Sequence, residues 1–192
     1  MSLGKHGITA ETPKSILMGA GAFYKGLAFS TNKWSGTCIG STSGGGKVSI
    51  SGEYTDIDLD GAHVLVKGLT VKQGGTASME VNIAELNADS IKLATNFTKQ
   101  ASSGVTGYDL FTDKPNLAEG DYTENFGFVG KTADGSRDII IIFENALCRS
   151  AVEIETKKRE NTVLKVVMDA YADIDSDLDT IPVKIYYPSA SA

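Results

Sequence analysis

Apolar and polar residues alternate with period two along much of the chain, the mark of strands with one buried face. The clearest stretch sets Ala77, Met79, Val81 and Ile83 against Ser78, Glu80, Asn82 and Ala84. Val48, Ile50 and Gly52 alternate likewise with Ser49, Ser51 and Glu53. The pattern continues as Ile57 and Leu59 against Asp56, Asp58 and Asp60, which predicts a strand over 47–60. Residues 15–29 are apolar but interrupted by Gly19, Gly21 and Gly26, so a strand with sharp bends is expected there. Short strands are expected at 63–67, at 69–72 and around 108–111, and longer ones at 122–131 and 181–187. Residues 147–155 and 162–172 read as a hairpin across the charged turn 157–161. The run IIIIF within 137–144 reads as a fully buried strand. Turns are expected at Asp60-Gly61, Gly74-Gly75 and Ala133-Asp134-Gly135.

One segment reads as a helix, 87–95 (NADSIKLAT). Asn87 can cap it and Asp89 sits in the first turn, where the helix dipole favours negative charge. Ile91, Leu93 and Ala94 would face the sheet. About ten strands, Gly-rich turns and no βαβ alternation predict a mainly β chain, a β-sandwich or barrel-like fold with one short flanking helix. The whole of 1–192 is expected to form one domain. Within it, 1–14 is a polar arm, 30–47 a long hairpin or mobile loop, 96–107 a further loop and 173–179 an acidic loop.

Charge narrows the function classes. Eighteen Lys and Arg face 24 Asp and Glu among 192 residues, a formal charge of −6. That balance argues against a protein that grips nucleic acid by neutralising phosphates. No apolar run is long enough for a membrane-spanning helix, and the first residues lack the apolar stretch of a secretory signal. Cys38 and Cys148 are too few for a disulfide framework and read as two reduced thiols in a cytosolic product.

Candidate chemistry fails on spacing. The stretch 40–47 (GSTSGGGK) resembles a phosphate loop, but its first glycine is displaced and Val48 stands where Ser or Thr is required. A flexible Gly-rich loop is the expectation. Asp56, Asp58, Asp60 and Gly61 open like a calcium loop, but Lys67 occupies the closing Glu position. Asp173, Asp175, Asp177 and Asp179 lack both the Gly and the closing Glu. His6 and His63 are the only histidines, neither beside a nucleophile motif, and standard zinc spacing is absent. No catalytic residue, cofactor or metal is expected, and the chain reads as a non-enzyme. The long loops instead carry apolar side chains, Trp34, Ile39, Phe97 and Val105, which would be better buried against neighbouring subunits.

The ordered set of segments 15–29, 36–50 and 53–86, followed by the helix and the hairpin around Gly135, resembles the major tail tube protein of long-tailed bacteriophages with flexible, non-contractile tails. The resemblance rests on the Gly19–Gly21 strand, then Asp56 to Asp60, Gly61, Val66, Lys67, Gly68 and Leu69, and then Met79 to Leu86. It covers most of the chain through strand and turn patterns. It implies hexameric rings of a self-assembling virion protein, stacked into a hollow tube through which DNA is ejected. The arm and long loops would bridge rings. Implied partners are further copies of the chain, a tape measure protein, a tail terminator and tail tip proteins, with assembly in the bacterial cytoplasm and no membrane insertion.

Duplex DNA carries about one negative charge per 1.7 Å of axis, so a channel lined with carboxylates would let it slide without specific binding. Asp56, Asp58, Asp60 and Glu80 are the candidate lumen acids. The rival readings are a carbohydrate-binding or adhesin sandwich using Trp34 and Tyr24, an enzyme of unfamiliar type, and another tube-terminating or head–tail joining virion protein.

Overall fold

The computed structural model describes residues 7–61, 63–101, 104–155 and 162–189. His6 with the start of the expected arm, and the expected turn at 157–161, lie outside the described residues. The strands are β1 (Leu17–Ser30), β2 (Lys33–Cys38), β3 (Thr42–Asp56), β4 (Thr70–Ile83), β5 (Thr98–Lys99), β6 (Phe111–Thr112), β7 (Thr123–Thr132), β8 (Asp138–Cys148), β9 (Ile154–Glu155), β10 (Val163–Tyr171) and β11 (Val183–Tyr186). The helix α1 spans Ala88–Thr95. The chain is mainly β with one short helix, as the alternation predicts.

One antiparallel sheet runs in the order β2-β1-β7-β8-β10-β4-β3. Strand β8 is its branch point. One edge of β8 pairs with β7. The other edge takes β11 opposite Ile140–Phe143 and then β10 opposite Asn145–Cys148. The sheet forks there, and its halves fold over a shared core in a sandwich. The Ile39 N–H donates to the Phe23 carbonyl at 3.1 Å and extends the β1–β2 pair by one residue, and across the core β3 comes close to β1. Gly46 of β3 lies against the Phe23 ring, where an added Cβ would stand 2.5 Å from a ring carbon.

Phe23, Met79, Val81, Ile83, Phe126, Phe143, Leu164, Val166 and Met168 fill the core and are fully buried. The predicted inward face of β4 is the observed one. Phe23 stacks with Phe126 at 6.2 Å and meets Phe128 at 5.1 Å, aromatic contacts that add to simple burial. The IIIIF run is apolar on both faces because Phe143 points into this core. Ile140 and Ile142 join Leu27 in a second cluster on the opposite face.

The helix starts where its cap chemistry places it. The Ser90 N–H donates to Asn87 Oδ1 at 2.8 Å, and the Asn87 N–H donates to Ser90 Oγ at 2.9 Å. Leu93 and Ala94 are buried, while Ile91 is half-buried. Asn96 ends the helix in the left-handed region, at φ 57°. Its side-chain amide donates to the Cys148 carbonyl at 2.7 Å, fastening the helix end to β8.

Five expectations change. The Gly-rich stretch 40–47 is not a loop throughout: from Thr42 it is strand, with a register shift between Thr42 and Gly46. Strand β3 stops at Asp56, so Asp58 and Asp60 lie in the turn beyond it, and 63–67 is irregular. Gly74-Gly75 is no turn. Gly74, at φ 134°, belongs to an irregularity inside β4 opposite Glu53. The expected strand 147–155 is broken, with Leu147 and Cys148 ending β8 and only Ile154–Glu155 returning to pair with β10. Asp60-Gly61 and Ala133-Asp134-Gly135 are turns as predicted.

Two measurements test these local devices. Asn87→Ala removes the cap and should lower unfolding stability by about 1 kcal/mol in urea titrations. Asp134, in the β7–β8 turn, accepts hydrogen bonds from the hydroxyls of Ser136 and Thr132, both at 2.6 Å. These bonds hold its carboxyl down at about 2. A carboxyl with a depressed folded-state pKa stabilises above its unfolded value, near 3.9, and loses that contribution as pH falls through the folded value. The urea midpoint of the wild type should therefore fall more steeply between about pH 4 and pH 2 than that of Asp134→Asn.

Candidate assembly interface

Strands β3 and β4 pair over their whole length, but β10 pairs with β4 only from Ser78 to Ile83. Outward from the Gly74 irregularity, the described residues of the ribbon 53–73 pair with no further strand. An isolated two-stranded hairpin is marginal in water. This one also exposes Tyr54, Ile57, Leu59, Val64, Leu65, Val66 and Val71, with Leu65 at 82%. Exposed apolar side chains grouped on one projection make it a candidate interaction surface. Two polar contacts brace its base: the Thr70 hydroxyl donates to Asp56 at 2.6 Å and the Thr55 hydroxyl to Gln73 at 2.8 Å.

A second surface lies on the outer face of β2, β1, β7, β8 and β11. Leu27, Ile140 and Ile142 form its floor, with Tyr24, Trp34 and Val129 packed around them. Trp34 meets Phe29 at 5.1 Å and Tyr186 at 4.9 Å, the latter edge to face. Phe29 is 56% exposed and Tyr186 45%. The Thr31-Asn32 turn, with positive φ at both residues, brings Trp34 opposite Phe29.

The four candidate contact residues separate. Trp34 is half-buried within the aromatic face, Phe97 is half-buried just after α1, and Val105 is exposed. Ile39 is corrected: it is 6% exposed and belongs to the main core, because its backbone bond to Phe23 turns the side chain inward. The apolar residues of the hairpin went unrecognised as contacts. Their signal is the run Val64, Leu65 and Val66 beside turn residues, a pattern that equally suits a short strand.

The four candidate lumen acids do not form one row. Asp56, Asp58 and Asp60 lie on the projecting hairpin. Glu80 sits ten residues beyond the Asp56 partner Thr70, about 33 Å along β4 at 3.3 Å per residue. There its carboxylate meets Lys165 at 3.0 Å, and Lys47 is its cross-strand partner. The surrounding face carries Ser49, Ser51, Thr76 and Ser78, with Arg149 and Asp169 paired at 3.6 Å. This face is hydroxyl-rich and internally neutralised rather than acidic.

Chemistry finds no centre among the described residues. No three His, Cys, Asp or Glu side chains converge as metal ligands there. Cys148 is buried in the core, Cys38 is exposed at the end of β2, and His63 lies on the hairpin. A cleft of about 800 Å³ lies between Glu119, Tyr122, Glu124, Asp173 and Lys184. Lys184 there is held by Glu144, whose hydrogen bond raises its pKa. Nearby, Lys114 pairs with the almost buried Asp121 and fixes the loop before β7. No described helix is long and apolar enough to cross a membrane.

Replacing Ile57, Leu59, Val64 and Leu65 together by Thr should leave core stability within about 0.5 kcal/mol per site, since all four are exposed. Binding of an apolar dye to the folded protein should fall, which fluorescence titration would read.

No family model matches the chain, and no curated protein matches it. Among solved structures it is similar to a chain of the virion of a native gene transfer agent particle, at 12% identity and a TM-score of 0.41. The match covers 80% of this chain and 92% of that one, and a likeness so distant carries no conclusion about what this chain does.

Proposed function

We propose that the chain is a structural subunit of a phage tail tube, a non-enzymatic virion protein whose copies form stacked hexameric rings around a channel for DNA. The observation that carries this reading is the hairpin 53–73. It leaves the body without a third strand and offers seven exposed apolar side chains to whatever lies beyond. A lone subunit gains nothing from such a projection, whereas a repeating assembly buries it. The strand and turn resemblance of 15–29, 36–50 and 53–86 supports the specific choice of a tube. The aromatic face gives each subunit a second, unlike surface, and contact between unlike surfaces repeats into rings or filaments.

In this reading the tape measure protein, tail terminator and tail tip proteins are the other partners, and the tail is the site of action. The hydroxyl-rich, charge-paired face of β3, β4 and β10 suits passage of DNA without capture, because it offers few uncompensated cations for phosphates. The aromatic face also favours a second reading, a glycan platform built on Phe29, Trp34 and Tyr186.

Concentrated protein examined by negative-stain electron microscopy, with sizing by light scattering, should show rings or hollow tubes. A monomer at every concentration that also binds sugars through Trp34 would overturn the tube reading in favour of the platform.

A further inference from the structure

We infer that the hairpin 53–73 of one subunit docks on the aromatic face of a second copy, with Trp34 at the contact. This inference rests on the proposed assembly and names the surface that receives the projection. The shapes differ in the required sense. The hairpin is a narrow ribbon of mostly aliphatic side chains, Ile57, Leu59, Val64, Leu65 and Val66, with Tyr54 at its base. The face is a broad strand surface with an apolar floor of Leu27, Ile140 and Ile142 under aromatic side chains. Aromatic anchors of this kind dominate protein contacts.

Charge favours the same pairing. Between 53 and 73 the ribbon carries Glu53, Asp56, Asp58 and Asp60 against Lys67 and Lys72, a net excess of two carboxylates. On the strands of the receiving face, Lys131 stands opposite Asp138 and Lys184 meets Glu144 at 2.6 Å, so these charges cancel within the face. Lys33, next to Trp34 at the end of the β1–β2 hairpin, adds one positive charge at the rim. An acidic ribbon therefore meets a neutral surface with a cationic edge, the arrangement that fixes orientation in a contact. Val64 and Leu65 of the hairpin are exposed in the single subunit, so its own aromatic face does not cover them.

Trp34 is the only tryptophan in the chain, which makes it a direct reporter. Lys67→Cys, in a Cys38→Ser background, carries a nitroxide label at the hairpin tip. It is assembled with excess unlabelled Cys38→Ser protein, so assembly does not depend on the labelled copies. The expected result is a blue shift and reduced acrylamide quenching of Trp34 on assembly, together with added nitroxide quenching that is absent from dilute, unassembled samples. A shortened variant, with 57–68 replaced by a two-residue turn, should keep its near-ultraviolet circular dichroism yet fail to shield Trp34. Assemblies whose Trp34 stays open to acrylamide and untouched by the label would overturn the docking while leaving assembly standing. Failure of the unlabelled protein to assemble at any concentration would overturn both.

Discussion

Strand β8 buries side chains on both of its faces, and the fold is arranged around that demand. Phe143 and Ala146 enter the main core, while Ile140 and Ile142 need cover on the opposite side. A strand flanked along both edges and apolar on both faces can satisfy its backbone and its side chains only at the centre of a sheet. Strand β7 covers one edge alone, but on the other edge one neighbour does not suffice, because β8 is longer than either β11 or β10 matches there. Sharing one edge between two strands opens the fork, and the fork gives the sandwich its two layers. The aromatic face is then the cover that the second set of isoleucines requires.

How much of this was legible depended on whether a pattern had one structural solution or several. Ala77 to Ile83 alternates beside strands on both sides, and period two was decisive there. The helix was equally readable, since Asn87, Ser90 and the inward Leu93 and Ala94 agree at every level. The alternation of Asp56 to Asp60 was ambiguous. Ile57 and Leu59 alternate with acids, but neither finds a core to enter, so the period carried no burial. The Gly74-Gly75 pair suggests a turn because glycine permits turns. It permits bulges as readily, and the pairing of Glu53 with Gly74 chose the bulge.

The candidate site divides along the same line. Trp34 could be singled out because a tryptophan in a Gly- and Ser-rich stretch is unusual wherever it lies. Ile39 could not be placed, since a single isoleucine in such a stretch is as well suited to turning inward as outward. Its neighbour Gly40 lies close to Glu85, whose carboxylate accepts hydrogen bonds from the Ser41 hydroxyl and N–H. That tether, 44 residues away in sequence, pins the segment onto the body, and no local pattern announces it. Glu80 was legible as a solvent-side residue, but its neutralisation by Lys165 required the strand order.

The Gly74 irregularity separates the hairpin from the body in energy as well as in direction. Inside it, a change of side chain disturbs a shared core; outside it, a change meets mostly solvent. Substitutions in 54–71 can therefore accumulate without costing the fold, and two chains with the same body can come to prefer different neighbours. In the proposed assembly, partner choice would then vary independently of folding, carried by a segment that lies outside the shared core.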